Sequence, residues 1–306
     1  MTRATSLRWF RKLWRLLLCA FVAAFASVAS AAPTLVVNDA RPVAQAIQQL
    51  TEKYGAIITY EDPRYSYDGD LQDVTEQVRN DLAKFAPGKA PKIIVPKGGA
   101  LSIDASSGDV ETILNKLVQA QSRASAGGHF RVEHIGNAYH VVPTEIRDKK
   151  GNWTAQSSIL DKPITLLMQD RDELAMMKAI CGAITSATGE KVFLAGRYSF
   201  FGGISESVKA ADTQARPSSP SEPARNEDLA PSPYPKFRLG AQNEPARSVL
   251  TRALDLAQKE TRGETSTWFL YYSVEDKQRG YYLNIMGIPN RPAPTGQGVS
   301  KVSPRK

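Results

Sequence analysis

The chain has 306 residues, 42% hydrophobic and 23% charged, so it carries enough apolar material for packed cores. Its net charge is +8, but five of the 39 Lys and Arg residues (Arg3, Arg8, Arg11, Lys12 and Arg15) sit at the very start; without them 34 basic side chains face 31 acidic ones, a balance of +3. So small an excess removes the compositional case for nucleic-acid binding, and no nucleic-acid partner is expected.

Residues 1–32 have the form of a secretory signal peptide: the basic start, an apolar run from Leu16 to Val28, and the small residues Ala29, Ser30, Ala31 and Ala32. The run is too short to span a bilayer as an ordinary helix, so cleavage near Ala31 or Ala32 is expected, with no transmembrane segment afterwards. Cys19 follows Leu18, where a lipoprotein would need a small residue. The expected location is periplasmic or secreted. Cys181 is then the one remaining cysteine, which leaves no intramolecular disulfide.

The first unit begins with the apolar run Leu35, Val36, Val37. Val43, Ala46, Ile47, Leu50 and Tyr54 follow at helical spacing, with Pro42 in the first turn, where a missing N–H costs nothing. Gly55 stops the helix, and Ile57 to Tyr60 reads as a strand ended by Asp62-Pro63. Residues 64–97 are mixed: Tyr65, Tyr67, Asp68 and Asp70, a short helix from Asp73 with Glu76 in capping-box position, a turn at Pro87 to Pro91 and a strand at Ile93 to Val95. Next come a strand at Ile103, a cap at Ser106 or Ser107, and a core-facing stripe of Val110, Ile113, Leu114, Leu117 and Val118. Phe130 to Val142 folds back as a hairpin on Gly136-Asn137, pairing Ile135 with Ala138, His134 with Tyr139 and Val132 with Val141.

The same order then returns. Ile164 to Met168 is a strand, Leu174, Met177, Cys181 and Ile184 a helical stripe, and Val192 to Leu194 a strand after Gly189. Leu239 and Ala241 lead to the stripe Ala246, Val249, Leu250, Ala253 and Leu254, then to strands at Thr267 to Val274 and Gly280 to Met286. The expected fold is therefore α+β, with tandem repeated βαβ and βαββ units in small mixed sheets, helices packed on one face. A first domain at 33–148 and a second at 149–288 are expected. The stretch 205–236, rich in Ser, Pro and Ala, and the tail 289–306 are too poor in large apolar residues to form a core.

Candidate chemistry is sparse. His129, His134 and His140 are close in sequence, but the hairpin register sends His134 and His140 to opposite faces and leaves His129 about four strand positions from the residue opposite His140, so no metal site is expected. Cys181 falls on an apolar stripe, as a small buried thiol does. Asp68, Asp70, Asp73 and Glu76 lack the spacing of a calcium loop, and Lys97-Gly98-Gly99 lacks the rest of a phosphate loop. Glu61 and Asp62 are adjacent and face opposite ways, with no distant partner visible. Asn152-Trp153-Thr154 matches a glycosylation sequon. No catalytic residue, metal ligand or cofactor is expected.

From Val36 to Tyr60 the pattern of strand, P-hydrophobic-x-x-A-hydrophobic-x-x-L, glycine and a strand ending in tyrosine resembles the short domain at the N-terminus of secretins and TonB-dependent receptors. Pro42, Ala46, Leu50, Gly55 and Tyr60 carry the match over about thirty residues. YEDPRY, with the DVT after it, resembles exported proteins of Gram-negative bacteria that carry such units. The resemblance implies a periplasmic protein-interaction module, although no barrel or secretin channel follows in this chain. The expected role is non-enzymatic: binding another envelope protein through sheet edges or helix faces. Two alternatives are an envelope enzyme using the Tyr/Asp-rich segment Arg64 to Asp73, and a cell-wall polymer module using Trp153, Trp268, Tyr271 and Tyr272.

Overall fold

Leu35 and Val37 are buried while Val36 between them is exposed, the alternation of a strand with one covered face, and β1 (Thr34–Asp39) forms there. The computed structural model describes residues 34–106, 109–124, 127–195, 235–261, 265–274 and 279–288. The leader at 1–32, the linker at 205–234 and the tail at 289–306 lie outside the described residues.

Helix α1 (Pro42–Tyr54) buries Val43, Ala46, Ile47 and Leu50 and ends at Gly55, whose φ of 65° lets its N–H reach the Thr51 carbonyl. Strand β2 (Ile57–Glu61) follows. The mixed segment makes a short ribbon of β3 (Leu71–Asp73) and β4 (Ile94–Pro96), with the one-turn helix α2 (Thr75–Val78) between them. Here Asp73 does not form a capping box with Glu76. Its carboxylate instead accepts from the Thr75 N–H at 3.0 Å and from the Thr75 hydroxyl, because the helix begins two residues later. After β5 (Gly99–Asp104), helix α3 (Val110–Ser122) is capped by Asp109, which accepts from the Thr112 N–H at 2.9 Å, and not by the serine expected from sequence. Strands β6 (His129–Ile135) and β7 (Ala138–Arg147) close the unit in the register read from Gly136-Asn137, and β8 (Trp153–Ala155) pairs with the end of β7.

The second unit repeats the list: β9 (Pro163–Arg171), α4 (Glu173–Thr188), β10 (Val192–Leu194), β11 (Phe237–Pro245), α5 (Ala246–Thr261), β12 (Ser266–Ser273) and β13 (Gly280–Gly287). Gly189 ends α4 as Gly55 ends α1, with φ of 74° and its N–H on the Thr185 carbonyl. One stripe residue differs from expectation. Leu174 is 57% exposed, and the buried face of α4 is Met176, Met177, Ile180, Cys181 and Ile184, because Asp172 starts the helix and leaves its first turn outside the core.

The fold is α+β, with mixed strand directions and helices on one face of each unit's strands. Each βαβ segment nevertheless sends its two strands to different sheets. β1 pairs antiparallel with β5 and β9 with β11, whereas β2 and β10 run parallel to β7 and β13. A seven-stranded sheet results, ordered β10, β13, β12, β2, β7, β6, with β8 beside β7.

The units meet where β12 lies parallel to β2, although β6, the counterpart of β12, runs antiparallel to β2. The second unit is thus turned over by a half-turn about an axis crossing the strands, which keeps strand order but reverses direction and face. Two cores lie on opposite sides of the sheet. Phe269, Tyr271 and Met286 of the second unit pack in the first core with Tyr60, Phe130 and Ile47, while Trp268, Leu270 and Tyr272 pack with α4 and α5.

Candidate functional site: the joined edge and the free edges

Backbone pairing at the junction is brief: Phe269 stands opposite Tyr60, and Leu270 opposite Glu61. The Asp62 N–H donates to the Leu270 carbonyl at 2.8 Å, and the Thr267 hydroxyl donates to the Ile58 carbonyl at 2.6 Å. Past that point side chains continue the ladder. The Tyr272 N–H donates to Asp62 Oδ2 at 2.9 Å, and the Tyr272 carbonyl accepts from Arg41 Nη2 at 2.9 Å. Arg41 Nε closes the group onto Asp62 Oδ2 at 2.6 Å, and the Tyr60 hydroxyl donates to Oδ1 at 2.7 Å.

Asp62 is fully buried, and these donors stand in for the water its carboxylate has lost. Burial is the largest influence on the Arg41 guanidinium and lowers its pKa, but Asp62, by charge and hydrogen bond, together with Tyr65 and Tyr60 makes the net shift upward. Burial, reinforced by the Asp62 charge, holds the Tyr60 and Tyr65 hydroxyls well above their ordinary range.

Glu61 points to the opposite face and is also fully buried. It accepts from the Ile159 N–H at 3.0 Å and from the Ser158 hydroxyl, with Arg247 Nη2 at 3.5 Å. Arg247, from the first turn of α5, also donates to Ser158 Oγ at 2.7 Å and to Asp161 at 3.0 Å. Burial raises the Glu61 pKa against the pull of Arg247. The adjacent carboxylates therefore have distant partners after all, and both sets cross from one unit to the other.

The histidines separate. His140 is buried beside Thr59, Nδ1 to Oγ1 2.7 Å, with its ring over Trp268; burial and then Arg247 lower its pKa to about 4. His134 stacks on Tyr139, and His129 stacks on Trp153 with Glu145 at 2.7 Å. Cys181 is buried, and its thiol is pushed up to about 12.

Asp70 is buried against Arg147, whose guanidinium lies over the Tyr67 and Trp153 rings, while Asp73 serves the start of α2. The Tyr/Asp segment thereby holds its own loop against β7. Trp268, Tyr271 and Tyr272 are buried, and Trp153 has His129 on one ring face. Among the described residues no cluster of three or more His, Cys, Asp or Glu side chains could hold a metal ion. A small cavity beside Arg41, Tyr60, Tyr65 and Phe130 has a volume of about 10 Å³, scarcely room for one water.

The two ends of the main strand path carry no further strand among the described residues: the outer sides of β10 and β6. They are the counterparts of the edges joined inside the chain, β10 of β2 and β6 of β12. Aligning Gly55 with Gly189 sets Ala175 in the place of Arg41, and Leu194, Ala195 and Gly196 in the places of Tyr60, Glu61 and Asp62. Phe193 on β10 is 39% exposed and stacks on Tyr282 at 5.2 Å. On β6, Arg131 and Glu133 form an ion pair at 2.6 Å.

Among the described residues no helix is long and apolar enough to cross a membrane. Comparison with protein-family models, with curated proteins and with solved structures gives no match.

Proposed function

We propose that the chain is a non-enzymatic, exported envelope protein that binds another protein by accepting a strand on a sheet edge, as its resemblance to secretin and TonB-receptor short domains implies. One observation carries this reading: inside the molecule β2 already receives a parallel strand, β12, and its counterpart β10 has no described strand on its outer side. Lys191 and Ala195 direct backbone groups toward β13, so the intervening alternation turns those of Val192 and Leu194 outward, where an incoming strand would pair. Phe193 adds apolar surface beside that edge.

The test is a photo-reactive amino acid at position 193 in intact cells, with the exposed position 52 on α1 as control, followed by purification of the captured protein. Capture at 193 alone is expected, with binding of the purified partner lost in Leu194→Pro, which removes an outward N–H and leaves the ladder to β13 in place. Equal capture at both positions, or a Leu194→Pro variant that binds normally, would reject the reading. Co-sedimentation with purified peptidoglycan in the absence of protein capture would favour the polymer alternative.

A further inference from the structure

The second free edge, β6, has a property that β10 lacks: it is complementary to itself. The two-residue turn makes Ile135 and Ala138 a hydrogen-bonded pair, so by alternation Glu133 with His140 and Arg131 with Val142 are bonded pairs too. The N–H and C=O groups of Phe130, Val132 and His134 consequently point away from β7, on the side where no described strand lies. These outward groups at three alternate residues are free to form the ladder of one added antiparallel strand.

We infer that β6 pairs antiparallel with β6 of a second copy of this chain, centred on Val132, to make a two-fold dimer. Val132 then faces the second copy's Val132, and Phe130 faces the second copy's His134, each as a hydrogen-bonded pair. Arg131 faces the second copy's Glu133 in the intervening pair without backbone bonds, where side chains approach most closely. The two-fold axis makes the same ion pair twice.

Charge selects this register. Sliding one strand by two residues sets Arg131 against Arg131 in one direction and Glu133 against Glu133 in the other, and like charges directly opposite are destabilising. A slide by one residue would put the second copy's helices on the wrong face of the pleat. Arg131 and Glu133 have side chains 48% and 27% exposed and already lie in contact on one strand, with Asp161 3.9 Å from Arg131, so dimerisation exchanges two intrachain pairs, one in each copy, for two interchain ones. The same charges would also deter unrelated strands, the usual purpose of charge on an edge.

The experiment is sedimentation velocity of the purified protein over a concentration series, for the natural sequence, Arg131→Glu, Glu133→Arg and the double exchange. Circular dichroism confirms that each variant folds. A monomer–dimer equilibrium is expected, weakened at least tenfold by either single exchange and restored to within about threefold by the double exchange. Phe193 variants should leave the dimer unchanged, which separates this contact from the β10 edge. A monomer at every concentration, a dimer indifferent to the single exchanges, or open-ended species larger than a dimer would each overturn the inference.

Discussion

The edge that is joined within the chain and the two edges that are not have the same place in the repeat, yet their chemistry is opposite. At the joined edge two carboxylates leave one strand end in opposite directions, and each meets an arginine side chain: Arg41 for Asp62, Arg247 for Glu61. The corresponding positions in sequence are Ala195 and Gly196, with Ala175 for Arg41, in the second unit, and Glu111 for Arg247 in the first. The half-turn relating the units is open-ended, so a third unit could be added by the same operation. The side chains that make the existing junction are not repeated at the equivalent positions. Backbone edges alone would join indiscriminately, and the buried ion pairs act as the latch that makes one junction specific.

Breaking that latch gives the largest expected effect. Asp62→Ala leaves Arg41 and the Tyr272 N–H without their acceptor, and removal of one member of a buried charge pair costs about 3–5 kcal/mol. Urea unfolding measures it, and adding Arg41→Ala should cost less than the sum of the two single changes, since both remove the same contact.

The next effect sharpens the comparison through pH. The His140 pKa falls from 6.5 to about 4 on folding, so between those values the unfolded chain holds a proton that the folded chain refuses. Stability rises with pH across that window, and about 3 kcal/mol is lost as pH falls through it. His140→Asn should flatten that part of a stability-versus-pH curve relative to the natural sequence.

Smaller and symmetrical effects come from the helix ends. Gly55→Ala and Gly189→Ala each force a side chain into left-handed backbone at a cost of about 1 kcal/mol, read from thermal unfolding. A single unfolding step, displaced as a whole by either change, would show that the two units share one cooperative transition. At the free edge Phe193→Asp should change stability by less than about 0.5 kcal/mol while reducing partner capture, since exposed positions contribute little to folding.

Local patterns carried most of the element list. Pro42 and Gly55 bound α1, Gly136-Asn137 sets the β6–β7 register, and the stripe from Ala246 to Leu254 is the buried face of α5. Sheet membership was beyond their reach. A strand, helix and strand pattern reads the same whether its two strands pair with each other or, as here, with β5 and β7. The junction was equally hidden, because Asp62 and the Tyr272 N–H are separated by 210 residues. A trace existed in Glu61 and Asp62, two carboxylates at the end of the apolar run Ile57 to Tyr60, where a strand entering a core needs counter-charges. Leu174 shows the converse: helical spacing assigns a phase, but the start of the core depends on what lies beyond the first turn.

The placement of Phe269 and Tyr271 among the first unit's core residues bears on how the molecule can be made. A ribosome releases α1, β2 and the β6–β7 hairpin long before these two rings, and the Thr267 hydroxyl that closes on Ile58 comes 209 residues later. The amino-terminal half must therefore wait, its hydrophobic interior unfinished, until β12 is synthesised, and a chain cut short before residue 266 would leave Asp62 with no Tyr272 amide to answer it.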